Sequence, residues 1–237
     1  MYYIILLAIG AIFGSFAGVV INRSIRGISF IAPRSHCESC GHVLNPLDLV
    51  PILSYIFLKG RCRYCDSEIP KETLIIEISS GLMLAVLFDI AYPLKSMMLY
   101  AGLMISLVIA IIDFKTFDIH MGHIGLLAAV GLIYRYLYIG YDLGFLLRIT
   151  TFVLAYIIIY KLSKGGLGDG DIYFYLSLFL FLKNHQIIWF ILISIWMGAL
   201  AGVIIALKHK NTKIAIPFCK YIFLSFLILL LANRYVL

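Results

Sequence analysis

The sequence predicts an all-α polytopic membrane protein with about eight transmembrane helices and one small soluble loop after the first of them. Three observations carry this. Hydrophobic residues make up 63% of the chain and charged residues only 13%, outside the range of soluble globular domains. Apolar runs close to bilayer length recur along the chain, and lysine and arginine gather in alternate loops. At roughly 20 residues per crossing, 237 residues hold one bundle of helices and one modest loop. No internal repeat or low-complexity tract stands out.

Taken in order, the runs place helices at 2–21, 73–91, 96–112, 122–138, 145–162, 172–182, 187–207 and 216–232. The first reads as a retained span, because it lacks a basic leading region and a small-residue cleavage site. Fourteen basic residues fall on one side: Arg23, Arg26, Arg34, Lys59, Arg61, Arg63, Lys71, Lys115, Lys161, Lys164, Lys208, Lys210, Lys213 and Lys220. Five fall on the other: Lys95, Arg135, Arg148, Lys183 and Arg234. The positive-inside rule makes the first side cytoplasmic and puts both chain ends outside. The +7 net charge is thus a topology signal, and nucleic acid is not the expected partner. The expected divisions are 1–22, the first helix; 23–72, the cytoplasmic loop; and 73–237, a seven-helix bundle.

Within the spans, Gly10, Gly14 and Gly18 share one face of the first helix, and Gly198 and Gly202 repeat the pattern on the seventh. Small residues four apart predict close helix packing. The sixteen Phe and sixteen Tyr read as lipid-facing and interfacial surface. Cys219, alone in the last helix, reads as an ordinary buried thiol.

Chemistry concentrates in Gly165-Gly166-Leu167-Gly168-Asp169-Gly170-Asp171, where two carboxylates sit in a glycine-rich run between apolar segments. Ionisable groups at membrane depth are costly and mark pathways or chemistry. The helix that follows would rise only about 16 Å against a hydrocarbon core of about 30 Å. The glycine run is therefore expected to dip into the bilayer beside a watery cavity. Asp113 closes the third apolar run and arrives at the same membrane face. Two carboxylates that meet this way push their pKa values apart, so that one serves as general base and the other as general acid. Asp169 is an alternative to Asp171, and spacing alone does not choose between them. Asp48, Asp118 and Asp142 read as caps or solvated loop ends. Glu77 and Asp89, inside the second predicted helix, are expected to face the bundle, with Glu77 near enough to the cytoplasmic end to join a polar site.

The loop carries Cys37-Glu38-Ser39-Cys40 and, after twenty-one intervening residues, Cys62-Arg63-Tyr64-Cys65. Two CxxC knuckles offer four thiolates to one tetrahedral ion, which points to structural zinc or a similar soft metal. A basic cytoplasmic loop argues against disulfides, and the lack of a βαβ pattern argues against thioredoxin-like redox chemistry. A loop of about fifty residues has little core of its own, so the metal would supply much of its stability.

Together these residues resemble the bacterial type IV prepilin leader peptidases, membrane aspartic proteases of the GxGD class that are often also N-methyltransferases. The likeness spans nearly the whole chain. It rests on Gly14-Ser15-Phe16, on residues 34–42 and 50–55, on Gly60-Arg61-Cys62-Arg63-Tyr64-Cys65, on Ile112-Asp113, on Gly168-Asp169-Gly170-Asp171 and on Ile216-Pro217-Phe218. The resemblance implies that Asp113 and Asp171 are the catalytic pair, that Cys37, Cys40, Cys62 and Cys65 hold zinc, and that Asp169 fills the variable place of GxGD. It also implies prepilin and pseudopilin substrates, whose short basic leader ends in Gly before an apolar helix. Their scissile bond would then lie at the cytoplasmic face of the bacterial inner membrane. S-adenosylmethionine would be the methyl donor. Departures from the family pattern are His120, Tyr173, Ala17-Gly18 and Cys219, where Pro, Lys, Leu-Asn and Gly are usual. A transporter relaying ions through Asp113, Asp171 and Glu77 is the contrasting expectation.

Overall fold

The computed structural model of the chain describes residues 1–29, 32, 34–162, 168–209 and 216–235. Gly165, Gly166 and Leu167 of the glycine-rich run, and Lys164, Lys210 and Lys213 of the basic count, lie outside the described residues. The regular structure there is helical: α1 (Tyr2–Ile25), a 3-10 turn (Pro46–Leu49), α2 (Leu53–Phe57), α3 (Lys71–Leu87), α4 (Pro93–Thr116), α5 (Met121–Tyr138), α6 (Leu143–Leu162), α7 (Asp171–Phe179), α8 (Asn184–His209) and α9 (Cys219–Tyr235). Every one of the eight predicted segments is a helix, with ends shifted by about a turn at most. By length and composition α1, α4, α6 and α8 can each cross a membrane, and Cys219–Ala232 is a shorter apolar stretch. The chain divides into two compact units, Met1–Phe88 and Asp89–Leu237.

In the first unit α1 lies against α3 at backbone contact. A Cβ on Gly10 would come within 2.7 Å of the Gly81 Cα, so only glycine permits this approach. The fully buried Ser80 hydroxyl donates to the Gly10 carbonyl at 2.7 Å. Gly14 meets the same helix beside Glu77, as the small-residue pattern predicts. Gly18 has open space before it and lines a cavity instead.

The loop between these helices folds one hairpin twice. The Cys37 N–H donates to His42 O at 2.9 Å and Gly41 N–H to Cys37 O at 2.8 Å, while the Leu44 N–H reaches Ser35 O. Twenty-five residues on, Cys62 donates to Ser67 O at 2.8 Å, Asp66 to Cys62 O at 3.0 Å and Ile69 to Gly60 O. Gly41 and Asp66 hold the corresponding turn positions at φ 71° and 58°. The loop is therefore an internal repeat in its backbone, which the sequence shows only through its cysteines.

In the second unit α4 packs on α5 and α9, α8 on α6 and α9, and α7 lies among α5, α6 and α9. Phe174, Phe179, Phe190 and Phe226 are fully buried and form much of its core. Apolar side chains also face outward, Trp196 at 73% exposure and Leu207 at 74%, as lipid contact requires.

Nine residues give α7 a rise of about 14 Å. Its C-terminal carbonyls are met by the fully buried Arg135 of α5, which donates to Leu182 O at 2.9 Å and Phe179 O at 3.3 Å. The guanidinium also donates to Asn184 Oδ1 and lies 3.3 Å from the Phe145 ring centroid. Arg135 is thus no outer loop charge, as the basic count has it. It closes the end of a helix too short to span. Arg135→Met leaves those carbonyls buried without a donor, at about 2–3 kcal/mol, and a thermal scan in detergent is expected to show a lowered midpoint.

Asp142 caps α6, accepting from the Phe145 N–H at 3.1 Å and from Asn184 Nδ2 at 2.7 Å. The Asn184 donor holds its carboxyl below the usual range. Asp89 corrects an expectation: α3 ends at Leu87, and Asp89 is exposed beyond it, accepting from the Ala91 N–H at 2.9 Å. The apolar run that hid this boundary continues past the last helical turn.

Candidate active site and metal centre

Asp113 lies one turn from the C-terminal end of α4, and Asp171 opens α7. Both carboxylates are buried, at 6% and 5% exposure. The first residue of α9 touches both. The Cys219 N–H donates to Asp113 Oδ2 at 3.1 Å, and the Cys219 thiol donates to Asp171 Oδ1 at 3.4 Å. Pro217 precedes α9, and the first amides of a helix have no partner within it. Asp113 therefore serves as that partner. Among the described residues no basic side chain forms an ion pair with either acid.

The GxGD segment is shaped around Asp171. A Cβ on Gly168 would come within 2.9 Å of Asp171 Oδ2, and one on Gly170 within 2.6 Å of Ile119 Cδ1. Larger residues at either place would displace the acid or the start of α7. The Tyr156 hydroxyl donates to Gly168 O at 2.8 Å, and the Tyr160 hydroxyl bonds Asp169. These tyrosines, four apart on one face of α6, tie the segment to its preceding helix. Asp169 is exposed and Asp171 buried, so of the two only Asp171 shares a residue with Asp113. Asp118 is exposed. Lys220 extends over the Phe114 ring, 4.9 Å from its centroid.

In the first unit, the sulfur atoms of Cys37, Cys40, Cys62 and Cys65 lie within 4.8 Å of one another. Cys37 Sγ and Cys65 Sγ are 3.7 Å apart, close to the edge of about 3.8 Å that four zinc–sulfur bonds of about 2.3 Å define. The donor set fits one tetrahedral ion. The Cys40 amide brings the Cys37 thiol down to about 6, and the Ser67 hydroxyl lowers Cys65. At Cys40 the pull of the His42 amide is outweighed by desolvation and the neighbouring sulfurs, which raise it to about 11. One thiolate thus opposes the next unless a cation neutralises them.

Asp48 braces this centre, accepting from Arg63 Nε at 2.8 Å, Tyr64 OH at 3.1 Å and the Asn45 N–H at 3.2 Å. Burial raises its carboxyl, yet these donors, Arg63 first, leave it below the usual range. It also completes a capping box on the 3-10 turn. The buried Glu77 accepts from the Ile52 N–H at 2.7 Å. Ile52 is β-branched at φ 64°, a conformation of appreciable strain. Glu77 holds that turn in place.

Of the residues singled out in the sequence, Asp113 and Asp171 meet at Cys219 and the four cysteines gather in one cluster; the sequence does not anticipate the contacts of Cys219, Ile119, Tyr156 and Tyr160. Only the tyrosines leave a signal, their spacing of four just before the glycine run.

Residues 8–90 match the bacterial peptidase A24 N-terminal domain. The chain is 30% identical over 216 residues to the prepilin leader peptidase/N-methyltransferase of Bacillus subtilis (strain 168), covering 88% of this chain and 85% of that protein. With the protein of the same name from Myxococcus xanthus (strain DK1622) it shares 28% over 217 residues, 87% of this chain and 64% of the relative's length. A third, from Vibrio cholerae, is 36% identical over 102 residues, 40% of this chain and 38% of its own. The chain belongs to the prepilin leader peptidase/N-methyltransferase family. No solved structure matches.

Proposed function

We propose that this protein is a membrane aspartic endopeptidase of the bacterial inner membrane that removes the basic leader of prepilins and pseudopilins at the cytoplasmic face. The observation that carries the reading is the pair of buried carboxylates, Asp113 and Asp171, joined through Cys219. Two buried acids with no ion pair among the described residues do not both carry charge at little cost, and sharing one proton relieves them. One aspartate takes a proton from water as its oxygen attacks the carbonyl carbon of the scissile amide. The other gives a proton to the departing nitrogen as the C–N bond breaks. The enzyme regains its single shared proton at the end of the cycle. Purified protein in detergent, given a prepilin with its leader, is expected to yield the shortened product. An intact prepilin after prolonged incubation would sink the reading.

The family name carries a second activity, N-methylation of the new terminus, for which S-adenosylmethionine would supply an electrophilic methyl group. In the first unit a cavity of about 540 Å³ is of small-molecule size. Its lining includes Asn22, Arg26, Asp48 and Glu77, polar groups suited to a zwitterionic ligand, and we assign the donor to it. A Cβ on Gly18 would meet nothing within 4 Å, so Gly18→Leu fills this space without disturbing the helices. It is expected to weaken binding of labelled S-adenosylmethionine about ten-fold or more while cleavage continues. Unchanged binding would remove the cavity from consideration. For the four cysteines we propose one structural zinc ion, the usual occupant of a closed all-thiolate tetrahedron.

A further inference from the structure

Cys219 is fully buried, and both of its hydrogen-bond donors are spent on the same pair of acids. Its amide holds Asp113 Oδ2, and its thiol holds Asp171 Oδ1. An apolar run would bury a cysteine anyway, as a small hydrophobe. Here, though, backbone and side chain of one residue reach two carboxylates on two other helices.

We propose that Cys219 is a positioning residue for the acid pair, its amide fixing one carboxylate and its thiol the other so that their remaining oxygens face a common water. The proposal rests on the peptidase reading for its functional consequence, though its geometric core does not. The amide alone would orient Asp113 whatever side chain followed. The thiol adds the second constraint. Asp171 Oδ2 already lies against Gly168, so an S–H donated to Oδ1 fixes the plane of the carboxyl group. Without that donor the carboxyl can rotate away from Asp113, and the geometry for sharing a proton loosens. A weak donor suits this place, because it orients Asp171 without binding its charge as tightly as an ammonium or guanidinium would.

The groups facing Cys219 define what else titrates there. They are Asp113 on α4, Asp171 and Tyr175 on α7, Tyr156 on α6 and the neighbouring Lys220 on α9. None of these is removed by changing residue 219, so a change in the pH–rate profile reports on the pair itself.

Two measurements on the full-length protein in detergent test this, one independent of activity. First, the S–H stretching band of Cys219, identified by its loss in Cys219→Ala, is read by infrared difference spectroscopy. It is expected to shift in Asp171→Ala, which removes the acceptor, and stay in place in Asp118→Ala. A band indifferent to Asp171→Ala means the thiol does not donate there and overturns the proposal. Second, prepilin cleavage is followed against pH for Cys219→Ala and Cys219→Ser. Loss of one neutral hydrogen bond predicts about a five-fold fall in kcat for Cys219→Ala. A displaced limb of the pH profile, little change in KM and recovery by Cys219→Ser should accompany it. A profile for Cys219→Ala that superimposes on wild type, with the fold intact by circular dichroism, also overturns the proposal. If wild type itself fails to cleave, the peptidase reading falls, and the infrared shift still decides whether the thiol holds Asp171.

Discussion

Asp113→Asn and Asp171→Asn are each expected to lower the rate of leader removal by about a thousand-fold or more, the scale of a lost general acid or base with its partner stranded. Asparagine keeps the shape of the side chain, and its Oδ1 can still accept from Cys219, so the arrangement at α9 persists. What it cannot do is take up or give a proton. Stability should hold or rise, since one buried carboxylate is replaced by a neutral group. Circular dichroism and a thermal scan therefore separate loss of chemistry from loss of fold. Asp169→Asn and Asp118→Asn are the informative controls. Both side chains are exposed, and both variants are expected to cleave within a few-fold of wild type. Asp169 lies only two residues from Asp171, so the contrast between them tests which carboxylate of the glycine-rich segment takes part.

Removal of the proposed metal is expected to have the second large effect. Between α1 and α3 the described chain has only a 3-10 turn, the five-residue α2 and two isolated bridges. Two of its ion pairs, Arg26 with Glu38 and Arg61 with Asp66, are at surface positions, where such pairs contribute little, and the third, Arg63 with Asp48, itself leans on the second cysteine knuckle. Most of the order must then come from the cysteine cluster. Structural zinc sites of this kind contribute about 10–16 kcal/mol of binding free energy. Stripping the ion with a strong chelator, or combining Cys37→Ser with Cys62→Ser, is expected to open this loop to proteolysis between α1 and α3. Elemental analysis should fall from one metal per chain to none. Equal protease resistance with and without metal would show that the loop holds itself together.

The helices were legible because burial in lipid demands long apolar runs, and those runs survive any detail of packing. The four cysteines were legible because two short CxxC repeats leave few other readings. Asp113 and Asp171 stood out for the cost of placing acids at the ends of apolar segments. The rest depended on distance in the chain. Cys219 meets acids 106 and 48 residues away, and nothing local separates it from a filler thiol. Arg135 looked like an end charge because the sequence marks α7 as short but does not show that the carbonyls at its end, 44 and 47 residues further on, take their donor from α5. Glu77 does line a polar cavity, as expected, but its hydrogen bond to Ile52 in a strained turn was not legible, because strain of that sort leaves no compositional mark.

The central claim is that Asp113 and Asp171 act as one unit on one amide bond. Cleavage rates for Asp113→Asn, Asp171→Asn and the double variant test it most directly. Groups that share a proton lose nearly everything at the first substitution, so the double variant should cleave no more slowly than either single. Near wild-type cleavage by either single variant, or two losses that multiply in the double, would contradict it.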